Sequence, residues 1–491
     1  MARIAVVGAG MGGLAVAARL SALGHDLTVY EQAAGPGGKN AGLAHDGFRF
    51  DMGPSTLTLP AVYRDLFLKT GRSLEESVDL QEVDPAFGYH FPDGTSLTLP
   101  GAGAGACANA MQEAFGGDTG REWRALLRRA GQIWSLTRSD VLGRALHSYR
   151  DLLPLARSPQ RLRTVAPWRT MRQLGHATLR DPRARMILDR YATYTGSDPR
   201  RSPAALVTIP FVEQTFGIWH VGGGLHTLAE ALYQRCLDLG TTFVFNTSVE
   251  QITTDAAGVT GVRIQDGSTV AADVVVADAD ARTVYGTLLQ DRRTRGPLQR
   301  LAKMQPSFSG FVLLLAVDGQ TPGIRHHNVW FPADYDAEFD QLFSKNPSPV
   351  SDPAIYACVP DDPAMRPDGA ESWFILVNAP TQDPPAMDWS ARSEDYADHV
   401  LAVLAERGVD LRGRIRWRRI RTPENLATGT ASPGGSIYGM SSNGRLSTAL
   451  RPANRSPVPG LFLVGGSAHP GGGLPLVGMG AEIVAAEIGR A

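Results

Sequence analysis

Ile4-Ala5-Val6-Val7-Gly8-Ala9-Gly10-Met11-Gly12-Gly13-Leu14, close to the start of this 491-residue chain, decides how the rest is read. Ile4 to Val7 is a short β-branched run of strand length, and Leu14, Ala17, Leu20 and Leu23 then recur at helical spacing, with a glycine turn between the two. Gly24 closes the helix, and a second strand, Leu27 to Tyr30, ends on Glu31, eighteen residues beyond Gly13. Strand, glycine turn, helix and strand ending on an acid is the order of a dinucleotide-binding βαβ unit. Gly8 permits the turn, Gly10 lets backbone approach a pyrophosphate, and Gly13 lets helix and strand pack closely, while the helix N-terminus favours the anion. Glu31 is placed to accept hydrogen bonds from the ribose hydroxyls of adenosine.

This unit separates a dinucleotide protein from other classes, but not FAD from NAD. The next residues narrow the choice. Gly35-Pro36-Gly37-Gly38-Lys39 follows the second strand, and Gly47-Phe48-Arg49-Phe50-Asp51-Met52-Gly53-Pro54-Ser55 comes soon after. Together with the opening motif these runs resemble the start of the carotenoid desaturase family, relatives of phytoene desaturase within the amine-oxidase-like flavoproteins. The resemblance implies FAD, with Gly38 and Lys39 along its phosphates and ribityl chain and Gly53, Pro54 and Ser55 in the same site.

Composition agrees with a large globular enzyme and excludes several alternatives. Hydrophobic residues make up 43% and charged residues 20% of a chain too long for one core, so two joined domains are expected. A net charge of -1 offers nucleic acid no overall attraction. Cys107, Cys236 and Cys358 are far apart with no CxxC pair, which argues against a disulfide framework and fits a reducing cytoplasm. The N-terminal residues lack the apolar stretch of a secretory signal, and no run reaches the ~18 apolar residues that span a bilayer. The expectation is a cytoplasmic protein, free or held on the inner face of the cell membrane.

From about Leu97 to Pro210 helical spacing dominates, as in Trp123 to Leu136 and Arg183 to Tyr194. Within it Arg144, Arg150, Arg157, Arg161, Arg163, Arg169 and Arg172 stand against the single acid Asp151, interleaved with Leu146, Leu152, Leu153, Leu155, Leu162, Val165, Trp168 and Met171. Charges of this kind commonly form a solvated helix face, but leucine, tryptophan and arginine together also suit a helix lying on anionic lipid. A membrane surface is where the long apolar substrate implied by the resemblance resides.

The glycine signal returns at Trp219-His220-Val221-Gly222-Gly223-Gly224, before a helix through Leu228, Leu232 and Leu237 and a strand Phe243 to Phe245. The resemblance places the backbone of Val249 against adenine. A hairpin (Val259 to Ile264, turn Asp266-Gly267, Thr269 to Val270) leads into a buried strand, Ala272 to Ala277. Strands near Gly310 to Val317 and Trp373 to Asn378 are expected to form a sheet under the substrate. His326-His327 is not expected to bind metal, because adjacent histidines project in different directions and no acid or third histidine lies at ligand spacing.

Gly460 to Val477 is strand, glycine loop and helix again: Val464-Gly465-Gly466-Ser467-Ala468-His469-Pro470-Gly471-Gly472-Gly473-Leu474-Pro475-Leu476-Val477. Its HPGGG run carries the most specific part of the resemblance. Gly465, Gly466, Gly473, Leu474 and Val477 are expected at the flavin edge, with the helix N-terminus stabilising charge on the ring. Many related flavoproteins carry an acid where Gly466 and Ser467 stand here, which leaves the ribityl contact unassigned. His469 is the one candidate for proton handling, against a loop-shaping role.

The expected fold is α/β (α+β overall), with a Rossmann-like FAD domain discontinuous in sequence (1–96, 216–286, 421–491), a helical region at 97–215 and a substrate sheet at 287–420. The expected function is FAD-dependent desaturation of an acyclic polyene such as phytoene. A hydroxycarotenoid 3,4-desaturase is the alternative inside the family, and an amine oxidase or a prenyl-binding escort protein the alternative outside it.

Overall fold

The computed structural model describes every residue except 154–157, 384–386, 445–446 and 448–450. Arg3–Val7 is the middle strand of a five-stranded parallel sheet, with Asp26–Tyr30 and Val274–Ala277 beside it and Thr242–Val244 and Leu461–Leu463 at the edges. Such a sheet is covered on both faces, which is why its strands read as continuous Val, Ile and Ala. On one face the helices Met11–Ala22 and Leu474–Ile488 bury Leu14, Val16, Leu20, Ala481 and Val484. On the other lie Tyr285, Leu288, Leu301 and Val458.

Strands from three distant stretches therefore share one sheet, as the return of the glycine signal implied. The two chain ends also meet: the Ala491 amide donates to the Leu23 carbonyl at 3.2 Å. Because all five strands run the same way, Gly8, Glu31, Asp278 and Gly465 leave the sheet at a common carboxyl edge, where open α/β sheets bind ligands.

The second sheet has seven strands in the order Ile415–Arg421, Ser309–Asp318, Ala370–Ala379, Ile355–Cys358, His327–Trp330, Phe87–His90, Ser96–Leu99. The last two come from the stretch assigned on sequence to the cofactor domain or its boundary. Phe87–His90 pairs in parallel with His327–Trp330, a partner 240 residues away that no local pattern announces. The helix Trp389–Glu406 packs Trp389, Leu401 and Leu404 onto one face, against Leu313, Trp373 and Ile375. Val312, Leu314 and Phe374 point the other way, toward helices Thr119–Thr137, Pro182–Arg190 and Thr208–Phe216 with their buried Trp123, Leu126 and Ile187.

The arginine-rich stretch is not one surface helix. Its described parts are a 3₁₀ turn at Tyr149–Leu152, a seven-residue helix at Pro159–Val165 that ends on left-handed Ala166 (φ 48°), and the start of helix Met171–Thr178. Arg172 turns inward to Asp189 (2.8 Å) and Asp336 (2.6 Å), and Leu146 and Met171 are buried. Leu153 and Trp168 stay 60% and 48% exposed; Leu155 and Arg157 lie outside the described residues.

Candidate active site

A single cavity of about 570 Å³ is lined from both sheets. Its first half is backbone. Gly8, Gly10, Glu31, Gly38, Lys39, Gly53, Pro54, Ser55, Val249, Gly465, Gly466, His469, Gly473, Leu474 and Val477 all border it, so the expected cofactor positions from both ends of the chain converge. Gly13 is the exception. It sits behind the turn, where a Cβ would lie 2.1 Å from the Gly8 carbonyl oxygen, and its role is packing. The helices that begin at Met11 and Leu474 present their N-termini to this half. Glu31 is held by the Ala9 amide (2.7 Å) and the Ala33 amide (2.8 Å). Lys39 donates to the carbonyls of Ser436 (3.1 Å) and Ile437 (2.8 Å), and burial lowers its pKa to about 8.

Asp278, which follows the strand Val274–Ala277, went unnoticed in the sequence and joins the two glycine loops. Its Oδ2 accepts from the Gly13 amide at 2.8 Å, and Cβ atoms on Gly10, Gly12 or Gly465 would lie 2.4–2.6 Å from its carboxylate. Burial pushes its pKa up to about 6 against the pull of the Gly13 amide. The signal was present as an acid directly after a buried strand, but its partner is 265 residues away.

Arg451 and Asn454 shape the C-terminal loop. The Arg451 guanidinium donates to the carbonyls of Tyr438 (3.1 Å), Gly466 (2.9 Å) and Met440 (3.0 Å), and Asn454 to those of Leu463 (3.1 Å) and His469 (2.8 Å). His469 Nε2 lies 3.0 Å from the Arg144 carbonyl oxygen, so it carries the proton and donates. Burial lowers the His469 pKa to about 4 and keeps the ring neutral. A partner absent from the local sequence thus ties His469 into the loop. Asp280 borders the cavity beside this loop, and its buried Oδ2 has no hydrogen-bond partner among the described residues. A hydroxyl bound in the cavity would satisfy it. Glycine walls for a pyrophosphate, two helix N-termini, Glu31 and this unpaired acid oxygen fit FAD.

The second half of the cavity is side chain. Trp134, Leu142, Leu206, Ile209, Val212, Val312, Phe374 and Leu376 supply apolar wall, broken by Arg190, Glu213, Tyr194 and Tyr356. Tyr356 hydroxyl lies 2.7 Å from Ser55 Oγ and 2.9 Å from His327 Nδ1. Arg190 is buried, its guanidinium over the rings of Tyr356 (5.1 Å) and Tyr194 (5.9 Å), with no ion-pair partner among the described residues. Nothing in the sequence marked these polar residues, because each lies in an otherwise ordinary amphipathic stretch.

In three dimensions a thiol, Cys358, joins His326 and His327. Their rings are 4.6 Å apart, and a donor atom of each lies within 4.8 Å of the other and of Cys358 Sγ, because His327 and Cys358 face each other across antiparallel strands. Burial drives the Cys358 thiol pKa up and the His327 pKa well down, which favours the uncharged forms of both.

A parallel sheet with a glycine-walled cavity at its carboxyl edge defines a dinucleotide-binding oxidoreductase fold. Residues 11–488 match the flavin containing amine oxidoreductase family. The chain is 34% identical to the zeta-carotene-forming phytoene desaturase of Myxococcus xanthus, over 98% of this chain and 93% of that one. It is 30% identical to the 4,4'-diapolycopene oxygenase of a Methylomonas species, over 98% and 97%. Among solved structures, cyclohexylamine oxidase from Brevibacterium oxydans superposes with a TM-score of 0.64 at 15% identity, over 99% of each chain. Putrescine oxidase bound to putrescine gives 0.63 at 15%, over 99% and 98%; these two likenesses establish the fold alone. The chain belongs to the flavin containing amine oxidoreductase family, in its carotenoid desaturase-like branch, and is an FAD-dependent oxidoreductase.

Proposed function

We propose that this enzyme desaturates a long acyclic carotenoid such as phytoene. The observation that carries the reading is the second half of the cavity: a largely apolar wall of Trp134, Leu142, Leu206, Val312, Phe374 and Leu376, continuous with the glycine-lined half. The relatives named for carotenoid desaturation and oxygenation support it. The Ser55, Tyr356 and His327 hydroxyl–imidazole group is the feature that favours the second reading, a hydroxycarotenoid 3,4-desaturase, since it offers a hydroxyl end group a partner.

FAD, when bound, supplies the hydride acceptor that no side chain can be. The chain's own residues do the rest. Glu31 and Val249 would hold the adenosine end, Gly10, Gly12 and Gly38 would admit the pyrophosphate, and Asp280 would accept a hydrogen bond from a ribityl hydroxyl. The N-terminus of helix Leu474–Ile488 stabilises negative charge on the ring, and Tyr63, donating to the Leu474 carbonyl at 2.8 Å, fixes that terminus. Leu206, Ile209, Val312 and Phe374 align the polyene and exclude water. Exposed Leu153 and Trp168, among Arg150, Arg161, Arg163 and Arg169, form the edge that meets an anionic membrane surface where the substrate is stored. No helix among the described residues is long and apolar enough to cross a membrane.

The test is anaerobic mixing of the reconstituted enzyme with acyclic carotenes. Bleaching of the flavin with formation of a more conjugated product is expected. Oxidised flavin that persists with every acyclic carotenoid overturns the reading.

A further inference from the structure

Desaturation removes a hydride from one carbon and a proton from its neighbour, and the reading above names no acceptor for the proton. Two glutamates of this chain, Glu213 and Glu338, are pushed up by burial to about 7. Geometry separates them. Glu338 is held by nitrogen donors, the Ala354 amide and the Asn378 side chain, each at 2.7 Å, and does not border the cavity. It is a structural acid.

Glu213 stands on the helix Thr208–Phe216, on the same face as Thr208, Ile209 and Val212, and all four border the cavity. It is 2% exposed, so bulk water does not serve it. Its oxygens accept from two hydroxyls: Oε1 from Tyr191, and Oε2 from Tyr194 at 3.1 Å. A hydroxyl both donates and accepts, which an amide nitrogen does not, so a proton that reaches Glu213 has an exit. Tyr194 itself borders the cavity and is only partly buried. The Arg190 cation favours the ionised carboxylate, while burial lowers the pKa of His469, the other candidate, to about 4 and leaves its Nδ1 the weaker proton acceptor.

We infer that Glu213 is the base of the desaturation and that Tyr194 relays the proton away from it. The inference rests on the desaturase reading. One C–H bond of the polyene breaks with its electron pair leaving as hydride to the oxidised flavin, which is thereby reduced by two electrons. The neighbouring C–H bond breaks, its electron pair becomes the new π bond, and its proton forms an O–H bond on the Glu213 carboxylate.

The test compares flavin-loaded wild type with Glu213→Gln, Glu213→Asp and Tyr194→Phe in anaerobic single turnovers with an acyclic carotene. Glu213→Gln should bleach its flavin about 10²- to 10⁴-fold more slowly, with carotene binding and the oxidised flavin spectrum unchanged. Because the base works deprotonated, the wild-type rate should rise with pH through about 7 and level off. That limb should persist in Glu213→Asp, which recovers part of the rate, and vanish in Glu213→Gln. In infrared difference spectra a protonated-carboxyl band should appear on wild-type turnover and be missing in Glu213→Gln; Tyr194→Phe should prolong its lifetime. If Glu213→Gln with both ligands bound bleaches at the wild-type rate, or keeps the pH limb, the inference is wrong. A wild-type spectrum without the carboxyl band overturns it even if the glutamine variant fails to fold. Wild type that bleaches with no acyclic carotene instead overturns the desaturase reading beneath it.

Discussion

One half of the cavity is walled by main chain, Gly8, Gly10, Gly38, Gly53, Gly465 and Gly473; the other half, proposed above for the polyene, is walled by side chains, Leu206, Ile209, Val212, Val312 and Phe374. Main chain that must touch a ligand tolerates no added atom, since the backbone behind it is fixed by strand and helix hydrogen bonds. Apolar side chains can be exchanged for others of similar volume at modest cost. The cofactor half should therefore respond to substitution in an all-or-none way, and the substrate half by degrees.

The sharpest contrast is expected at Gly53, where a Cβ would lie 1.8 Å from the Lys39 carbonyl oxygen. Gly53→Ala should cost about 3 kcal/mol or more and release the flavin, read by denaturant unfolding and by absorbance after gel filtration. A stable yellow Gly53→Ala protein would dissolve the distinction between the halves.

Asp278→Asn probes the link between the two glycine loops. Its folded pKa, about 6, lies above the ordinary carboxylate value of 3.8, so the folded state prefers the protonated form. The contribution of Asp278 to wild-type stability is then fully present below about pH 4, is lost as pH rises through 6, and stays lost above. The carboxylate borders the cavity, and water there should hold the effect to roughly 1–2 kcal/mol. Asparagine keeps an acceptor for the Gly13 amide and does not titrate, so its Tm should exceed that of wild type at pH 8 and the gain should shrink at pH 5. An equal gain at both pH values would show that the charge is not what matters.

Val312→Trp fills the polyene side. It should leave the flavin spectrum unchanged and slow bleaching by carotene about tenfold, roughly 1.4 kcal/mol. Loss of flavin in this variant would mean that the halves are not independent. The smallest effect is expected at the rim: Leu153→Asp with Trp168→Ala should weaken co-flotation with anionic vesicles about fivefold, near 1 kcal/mol, at unchanged flavin content. Unchanged flotation would remove this edge from the proposed membrane contact.

The same contrast explains what could be read in advance. The Gly8 to Gly13 turn, the strand to Glu31 and the Gly460 to Val477 segment are local patterns, each set by neighbours a few residues away, and the structure brings them together at one cavity. Asp280 was hidden because it lies beyond the strand Val274–Ala277, far in sequence from the Gly465-Gly466 loop beside which it borders the cavity. Glu213 is one acid in an amphipathic helix, and nothing within that helix says that its face looks into a cavity. His327 and Cys358 became neighbours through strand register, and Arg172 left the supposed lipid face for Asp189 and Asp336.

The sequence by itself determined the dinucleotide turn and the discontinuity of its domain, because backbone constraints on glycine act over a few bonds and leave a spaced signature; FAD rather than NAD came from the resemblance to a flavoprotein family. Only the tertiary structure decided which acids face the cavity, where the strands at 87–99 pair, and which arginines reach solvent. Those outcomes depend on burial and on partners up to hundreds of residues distant, and burial is a property of the assembled fold that no single stretch of chain carries.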